Sequence, residues 1–102
     1  MARVDLSSAA QKDLRKILRS PGGLAVKRVI LDDLAAEPWP KNLDVASLEA
    51  MGSWLRVRAG EFRIVLRPLS PAECKARAVA KGYLVDRVVN RRELERILKA
   101  YR

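Results

Sequence analysis

The sequence predicts an α+β fold, with a small, mostly antiparallel sheet, two N-terminal helices packed on one face of it, and a C-terminal helix. Two observations predict this fold. Apolar residues recur at helical spacing in two early segments and again near residue 100, whereas in the centre they alternate with polar residues as in β-strands. A chain of 102 residues has room for one domain, expected over residues 1–102, with a core of modest size.

The first half of the chain predicts a short strand followed by two antiparallel helices. Arg3–Leu6 alternates polar and apolar residues, which is typical of a strand. Ser8 is placed to cap the first helix, with Gln11 in the reciprocal position of a capping box. Pro21-Gly22-Gly23 should end that helix. The second is expected from Leu24 to Glu37, because the proline that follows disfavours helical geometry.

The second half predicts a hairpin, a further strand and a last helix. The elements expected are a short helical turn over Asp44–Met51, strands over Trp54–Arg58 and Phe62–Leu69, an exposed and partly helical loop over residues 70–82, and a strand over Tyr83–Val89. The short link with Gly60 between the first two strands favours a hairpin. Asn90 is placed to cap the last helix, with Glu93 in the reciprocal position. Trp39, between two prolines, is expected to fill the core rather than to contact a partner.

Charge is distributed unevenly along the chain. The formal net charge is +9, yet residues 1–53 carry eight Lys/Arg against seven Asp/Glu, whereas residues 54–102 carry thirteen against five. A localised positive charge attracts phosphate backbones, acidic proteins or anionic membranes. The second half is therefore expected to carry a basic surface that meets a polyanion.

Composition excludes several classes of function. The chain has no His and a single cysteine, Cys74, so a zinc site is close to excluded and no metal or other cofactor is expected. No apolar run reaches the roughly 18 residues of a membrane span. The first residues lack the apolar stretch of a secretion signal. These features predict a cytoplasmic protein with no membrane partner.

The central hairpin predicts a basic sheet face. Strand alternation brings four arginines to the face opposite the apolar side chains: Arg56, Arg58, Arg63 and Arg67. The planar guanidinium group suits phosphate because it donates two parallel hydrogen bonds and stays charged. Trp54 on the same face is expected to offer a stacking surface for an unpaired base. A solvated face, partly balanced by Glu61 and Asp86, is the alternative interpretation.

Two further arginines, Arg91 and Arg92, are expected in the first turn of the last helix. The positive end of the helix dipole disfavours cations at that place. An anionic ligand bound there would account for them, because it would meet backbone N–H groups and two guanidinium groups together.

These segments resemble the RelE/ParE toxin family of toxin–antitoxin systems. The run WLRVRAGEFRIVL over Trp54–Leu66 is similar to the family's central hairpin, which typically has an aromatic residue, two alternating arginines, Gly, an acidic residue, an aromatic residue, Arg and an apolar run. Arg87–Glu93 is similar to the last strand and the basic segment after it. The resemblance covers most of the chain and implies a single RelE/ParE-like toxin domain.

The resemblance implies a toxin that an antitoxin from the same operon neutralises. RelE-like members cut messenger RNA on the ribosome, and ParE-like members act on DNA gyrase. By position, the residues expected to be catalytic are Arg56, Arg58, Arg63 and Arg91. The residues expected to make further contacts with nucleic acid are Trp54, Arg67, Lys81 and Arg92. The antitoxin is expected to be acidic, and to cover the basic face or displace the last helix.

The chain departs from the RelE-like pattern at the group that transfers protons. Those members commonly place Tyr or His near the chain end, but this chain has no His, and Tyr101 falls on the apolar stripe of the last helix. The candidates for a general base are then Glu61, Glu93, Glu95, or Lys81 with a lowered pKa. Three functions stay open: a RelE-like endoribonuclease, a ParE-like gyrase inhibitor, and a relative that binds nucleic acid without catalysis.

Overall fold

A five-stranded sheet forms the centre of the computed structural model, which describes residues 1–48 and 51–101. The elements in chain order are β1 (Arg3–Leu6), α1 (Ser8–Ile17), α2 (Gly23–Arg28), β2 (Asp44–Ser47), β3 (Leu55–Ala59), β4 (Phe62–Pro68), α3 (Pro71–Ala76), β5 (Gly82–Asn90) and α4 (Leu94–Leu98). A π-helical turn over Val29–Asp33 continues α2, and a 3₁₀ turn over Lys99–Tyr101 continues α4.

The sheet is mixed, with the strand order β1-β5-β4-β3-β2. β2, β3, β4 and β5 pair antiparallel in succession, whereas β1 pairs parallel with β5. The expectation of a mostly antiparallel sheet is therefore corrected. The sequence predicted the hairpin, but not that the first strand would lie beside the last, because that pairing joins residues almost eighty positions apart.

The stretch expected to form a helical turn over Asp44–Met51 is a strand in its first half. Asp44–Ser47 forms β2, an edge strand whose register sets Asp44 opposite Arg58. Its backbone groups bond to β3, and the partly buried Val45 packs against the main core. Residues 49 and 50, which fall inside the predicted turn, lie outside the described residues.

The main core lies between α1, α2 and one face of the sheet. Its largest fully buried side chains include Val26, Ile30, Leu34, Val57, Ile64, Leu66 and Val85. Burying one such side chain stabilises the fold by roughly 1.5–3 kcal/mol. Trp39 packs against this core: its Nε1 donates to the Leu34 carbonyl at 3.0 Å, and its ring centroid lies 4.7 Å from that of Tyr83. The prediction that Trp39 fills the core agrees with these contacts.

A smaller core covers part of the opposite face of the sheet. Its buried members are Met51, Val65, Val89, Ile97 and Leu98, and Leu48, Trp54, Leu94 and Tyr101 pack around them. The C-terminal helix therefore lies on the face that carries the hairpin arginines. Alternation along the strands did not predict that a helix covers part of this face.

Two helix starts differ from the prediction. Ser7, not Ser8, caps α1: its Oγ accepts from the Ala10 N–H at 3.0 Å. Asn90 does not cap the last helix, because it continues β5 opposite Phe62, and α4 begins only at Leu94. The arginines that follow Asn90 therefore lie in a turn, and the argument from the helix dipole does not apply to them.

The loop expected over residues 70–82 contains a short capped helix. In α3 the Ser70 Oγ accepts from the Glu73 N–H at 3.1 Å, and Glu73 Oε1 accepts from the Ser70 N–H at 2.8 Å. This capping box accounts for the helical part of the loop. Within residues 1–48 and 51–101, no helix has the length and apolar character needed to cross a membrane.

Candidate nucleic-acid interface

Three arginines of the central hairpin lie on the sheet face opposite α1 and α2. On β3, Arg56 and Arg58 flank Val57, which is fully buried in the main core. Alternation along the strand therefore turns both arginines to the other face. On β4, Arg63 lies directly opposite Arg58 in the antiparallel register. The pairing sets two cationic side chains side by side.

Arg91 joins these three from the end of β5. Its backbone N–H donates to the Glu61 carbonyl at 2.9 Å, and its Nε lies 3.0 Å from Glu61 Oε2. Glu61 lies in the turn of the β3–β4 hairpin, between Ala59 and Phe62. The two contacts therefore hold Arg91 at the end of the hairpin that carries Arg58 and Arg63.

The guanidinium groups of Arg56, Arg58 and Arg91 act electrostatically on that of Arg63. Partial burial lowers the pKa of Arg63 below its ordinary value. The positive charges of Arg58, Arg56 and Arg91 lower that pKa further, in this order. We refer to Arg56, Arg58, Arg63 and Arg91 as the arginine cluster. Because its charges repel one another, an anion bound across the cluster would remove an unfavourable interaction.

Two carboxylates partly balance the arginine cluster. Asp44 Oδ1 lies 3.5 Å from Arg56 Nη1, and Glu61 pairs with Arg91. Arg58 has no hydrogen bond or ion pair with the residues the structure describes. Asp44 was not predicted to lie here, since its position depends on the unpredicted strand β2.

Most donors of Arg63 remain available to a ligand. Its Nη1 donates to the carbonyls of Gly60 at 2.8 Å and Phe62 at 2.9 Å. These bonds turn the side chain toward the hairpin turn. The Nε and Nη2 groups make no hydrogen bond within the described part of the chain, so the guanidinium can still donate to a phosphate.

Arg67 and Trp54 lie on the same face but in a different environment. The Arg67 guanidinium donates to both carboxylate oxygens of Glu73, at 2.7 and 3.0 Å. The hydrogen bond from Arg67, followed by that from the Ser70 N–H, lowers the pKa of Glu73 to about 2. The Trp54 ring lies 4.8 Å from that of Tyr101 and 5.9 Å from Arg67 Cζ. Arg67 is thus paired with a carboxylate and Trp54 is partly buried against Tyr101, whereas Arg58 has no such partner among the described residues.

Lys81 and Arg92 differ in their distance from the arginine cluster. Lys81 precedes β5 at the end of that strand remote from Arg91. Its hydrogen bond with Tyr83 raises the pKa of the ammonium group, so the expectation of a lowered pKa is wrong. Arg92 is exposed beside Arg91, and its N–H donates to Asn90 Oδ1 at 3.0 Å.

The groups considered for proton transfer are mostly engaged elsewhere. The Tyr101 hydroxyl donates to Asp86 Oδ2. Burial raises the pKa of Tyr101, and the hydrogen bond to Asp86 raises it further, so this phenol is a poor base near neutral pH. Glu93 pairs with Arg96 at 2.8 Å. Among the candidates from the sequence, Glu61 contacts the arginine cluster through its ion pair with Arg91.

The arrangement offers guanidinium groups rather than a metal centre. Within the described residues, no group of three or more His, Cys, Asp or Glu side chains is placed to hold a metal ion. Fixed cations on a sheet face can bind a phosphodiester and stabilise added negative charge on its phosphorus in a transition state.

The fold is shared with chains of solved toxin–antitoxin complexes. One is a chain of the RelBE2 complex from Mycobacterium tuberculosis, with 22% identity over 88% of this chain and 98% of that chain and a TM-score of 0.59. Another is a chain of the RelB–RelE complex from Methanococcus jannaschii, with 14% identity over 91% of this chain and 96% of that chain and a TM-score of 0.52. No protein-family model matches the sequence, and the curated proteins yield no match.

Proposed function

We propose that the chain is the toxin of a type II toxin–antitoxin system and acts as a RelE-like endoribonuclease on messenger RNA at the ribosome. The arginine cluster carries the proposal: cations from β3, β4 and the end of β5 converge on one sheet face. The fold shared with chains of RelB–RelE complexes supports membership of such a system. The net charge of +9 supports the role of toxin for this chain, because a cationic protein attracts RNA. The antitoxin is expected to be acidic.

In the proposed reaction the ribose 2′-oxygen attacks the adjacent phosphorus and the bond to the 5′-oxygen breaks. The products are a 2′,3′-cyclic phosphate and a free 5′-hydroxyl group. Arg58 and Arg63, opposite each other on β3 and β4, would hold the non-bridging oxygens as their charge grows. Arg56 and Arg91 would add charge from either side, and Arg92 would contact the neighbouring phosphate.

A base must take the proton of the 2′-hydroxyl, and an acid must supply one to the leaving 5′-oxygen. Glu61 pairs with Arg91, and Asp44 pairs with Arg56. We include Glu61 in the proposal as the acceptor of the 2′-proton, and solvent water as the donor of a proton to the leaving 5′-oxygen. The variants Glu61→Gln and Asp44→Asn test each carboxylate separately.

A ParE-like inhibitor of DNA gyrase is the second candidate. It is favoured by the state of Tyr101, whose hydroxyl is bonded to Asp86 and whose pKa is raised, in a chain without His. A protein that only binds gyrase needs no proton-transfer group. A loss of supercoiling activity by purified gyrase, with messenger RNA intact, would support this alternative.

The deciding experiment is induced expression in a bacterial host, followed by primer extension on an abundant messenger RNA. We expect growth arrest and new cuts within translated frames. Arg63→Glu should abolish both, while Lys12→Glu, the same charge change at an exposed residue of α1 on the other side of the sheet, should preserve both. Circular dichroism should show that both variants fold.

Other outcomes contradict the nuclease proposal. Arrest without cuts directs the next assay to gyrase, and the absence of arrest indicates a non-catalytic relative or an antitoxin. A chain that instead relieves the arrest caused by a co-expressed toxin from the same operon would be the antitoxin. Full toxicity of Arg63→Glu would remove the arginine cluster from the mechanism.

A further inference from the structure

A cavity of about 250 Å³ lies beside the outer edge of β5, between the C-terminal half of α1 and the turn that follows the strand. Ile17 and Phe62 give it apolar walls, and Lys16, Ser20 and Asn90 are polar residues that line it. Pockets for drug-sized ligands measure roughly 300–1,000 Å³. The cavity therefore suits a single small ring system rather than a whole cofactor.

The edge of β5 at this cavity offers one backbone acceptor and one backbone donor. The Arg91 N–H donates to the Glu61 carbonyl, so odd-numbered residues at this end of β5 bond toward β4, and even-numbered residues turn their backbone groups outward. The outward N–H of Val88 donates to Asp13. The Val88 carbonyl and the Asn90 N–H also point outward, and no strand in the described part of the chain pairs with them.

We propose that this cavity binds one unpaired nucleobase of the RNA held at the arginine cluster. The Watson–Crick edge of a base carries a hydrogen-bond donor next to an acceptor, as with the amino group and ring N1 of adenine. The Val88 carbonyl would accept from the amino group, and the Asn90 N–H would donate to the ring nitrogen. Ile17 and Phe62 would contact the apolar surface of the ring. The inference rests on the proposed function, because RNA is the ligand in both.

Charge around the cavity suits the phosphates on either side of such a base. Asp13 and Glu93 also line the cavity, but they are paired with Arg87 and Arg96, each at 2.8 Å. Lys16 makes no ion pair with the residues the structure describes. Since the carboxylates are balanced, Lys16 leaves a positive charge at the cavity wall.

The cavity adjoins the arginine cluster along the chain. Asn90 lines the cavity, and the next residue is Arg91, a member of the cluster. The Arg92 N–H donates to Asn90 Oδ1 at 3.0 Å, which holds the turn beside the cavity. An RNA strand with a phosphate at Arg91 would therefore have a base within reach of the edge of β5.

A peptide strand fits this edge less well than a base. Strand addition requires a run of free backbone groups along the edge. Here the Val88 N–H is bonded to Asp13, and the Ser7 hydroxyl donates to the Asp86 carbonyl at 2.7 Å. The pair that remains, the Val88 carbonyl and the Asn90 N–H, matches the two neighbouring groups on the edge of a base.

The test uses the purified full chain and an adenine trinucleotide in which fluorine replaces every 2′-hydroxyl, so that the probe cannot be cleaved. An abasic trinucleotide with the same sugars and phosphates is the control probe. Isothermal titration calorimetry measures the two affinities, and NMR locates the contact. We expect the adenine probe to bind roughly tenfold more tightly and to shift the backbone amide signal of Asn90.

Substitutions of Asn90 separate its backbone donor from its side chain. Asn90→Pro removes the N–H without removing a bond of the β4–β5 ladder, because that N–H points outward. It should abolish the preference for the adenine probe over the abasic one. Asn90→Ala retains the N–H and should keep the preference. Thermal unfolding should show that both variants fold.

A second pair of variants does not depend on the folding of Asn90→Pro. Ser20→Phe adds bulk at an exposed residue that lines the cavity, and it should also remove the preference for the adenine probe. Ser8→Phe makes the same change at an exposed residue at the other end of α1 and should leave the preference unchanged.

Equal affinity for the two probes would overturn the proposal, as would a preference that both Asn90→Pro and Ser20→Phe retain. A shift of the Asn90 amide that grows with protein concentration in the absence of nucleotide would assign the edge to a second copy instead. The nuclease proposal is tested separately. Base-dependent binding at Asn90 without cleaved messenger RNA in cells would support the cavity and contradict the nuclease, whereas cuts in cells with equal binding of both probes would do the reverse.

Discussion

Asp13 acts as the strand partner of Val88. The parallel pairing of β1 with β5 ends at Val85, so the outer edge of β5 beyond that residue has no strand beside it. There the Asp13 Oδ2 atom accepts from the Val88 N–H at 2.9 Å and from Arg87 Nε at 2.8 Å. One carboxylate on α1 thereby accepts a hydrogen bond from a backbone N–H of β5 that has no strand partner. The same carboxylate holds α1 against β5.

Asp13→Ala should lower the free energy of unfolding by roughly 1–3 kcal/mol, because it leaves the Val88 N–H and the Arg87 guanidinium without their acceptor. Urea unfolding measures the change. Lys12→Ala, at the exposed neighbouring position, should stay within about 0.5 kcal/mol of the parent. Equal stability of Asp13→Ala and the parent would show that water replaces this contact without loss.

Stability should depend on the ionisation of Glu73 in acid. Its folded-state pKa is lowered from 4.5 to about 2, first by the hydrogen bond from Arg67. A group whose pKa falls on folding stabilises the protein above its unfolded pKa, and that contribution is lost as the pH falls toward the folded value. The stability advantage over Glu73→Gln should thus be constant near neutral pH and decline between about pH 4.5 and 2.

Urea titrations of parent and variant across that range measure this decline. Lys75→Gln on the same helix is the control, because lysine does not titrate in acid and its difference from the parent should not vary with pH. An advantage over Glu73→Gln that stays constant down to pH 2 would show that the Arg67–Glu73 pair does not favour the ionised carboxylate.

Arg58→Gln should weaken RNA binding without destabilising the fold. Arg58 makes no ion pair with the described residues, and its charge disfavours the charged form of Arg63. Removing one phosphate contact should reduce the slope of log K against log salt by about 0.7 for single-stranded RNA. Fluorescence anisotropy at several salt concentrations measures the slope. An unchanged slope would place Arg58 outside the contact surface. Lys12→Gln, at an exposed residue of α1, is the control.

Tyr101→Phe should show whether the Tyr101 hydroxyl contributes to stability, to RNA cleavage or to both. Loss of the hydroxyl removes the hydrogen bond to Asp86 and should cost roughly 1–2 kcal/mol of stability. Since the proposed proton acceptor is Glu61, RNA cleavage below the melting range should change by less than about threefold. A large loss of cleavage with stability retained would instead make Tyr101 a member of the reaction site.

Local patterns in the sequence predicted the hairpin and its faces correctly. The alternation of Val57 and Ile64 with Arg56, Arg58 and Arg63 determines which side chains face α1 and α2, because a strand that buries one face must turn alternate residues outward. This rule needs no knowledge of distant residues. It therefore located three members of the arginine cluster from short segments alone.

Features that depend on distant contacts were not predictable in the same way. Asp44–Ser47 has few of the residues favoured in strands, and it becomes one by pairing with β3. Asn90 has the sequence of a helix cap, yet the ladder to Phe62 extends β5 through it. The sequence placed Trp54 on the arginine face but did not predict the packing of Tyr101 against it. In each case a tertiary contact prevailed over a local preference.

The position of β5 has a consequence for folding. This strand lies between β1 and β4, although it is the last strand in the sequence. Residues 1–76 therefore contain β1 with its helices and the three-stranded meander β2–β4, which do not pair with each other. Each has a strand edge that pairs only with β5. Sequence-distant pairings of this kind slow the search for the native topology. We expect the sheet to close in a late, cooperative step, in which one strand joins both pieces at once.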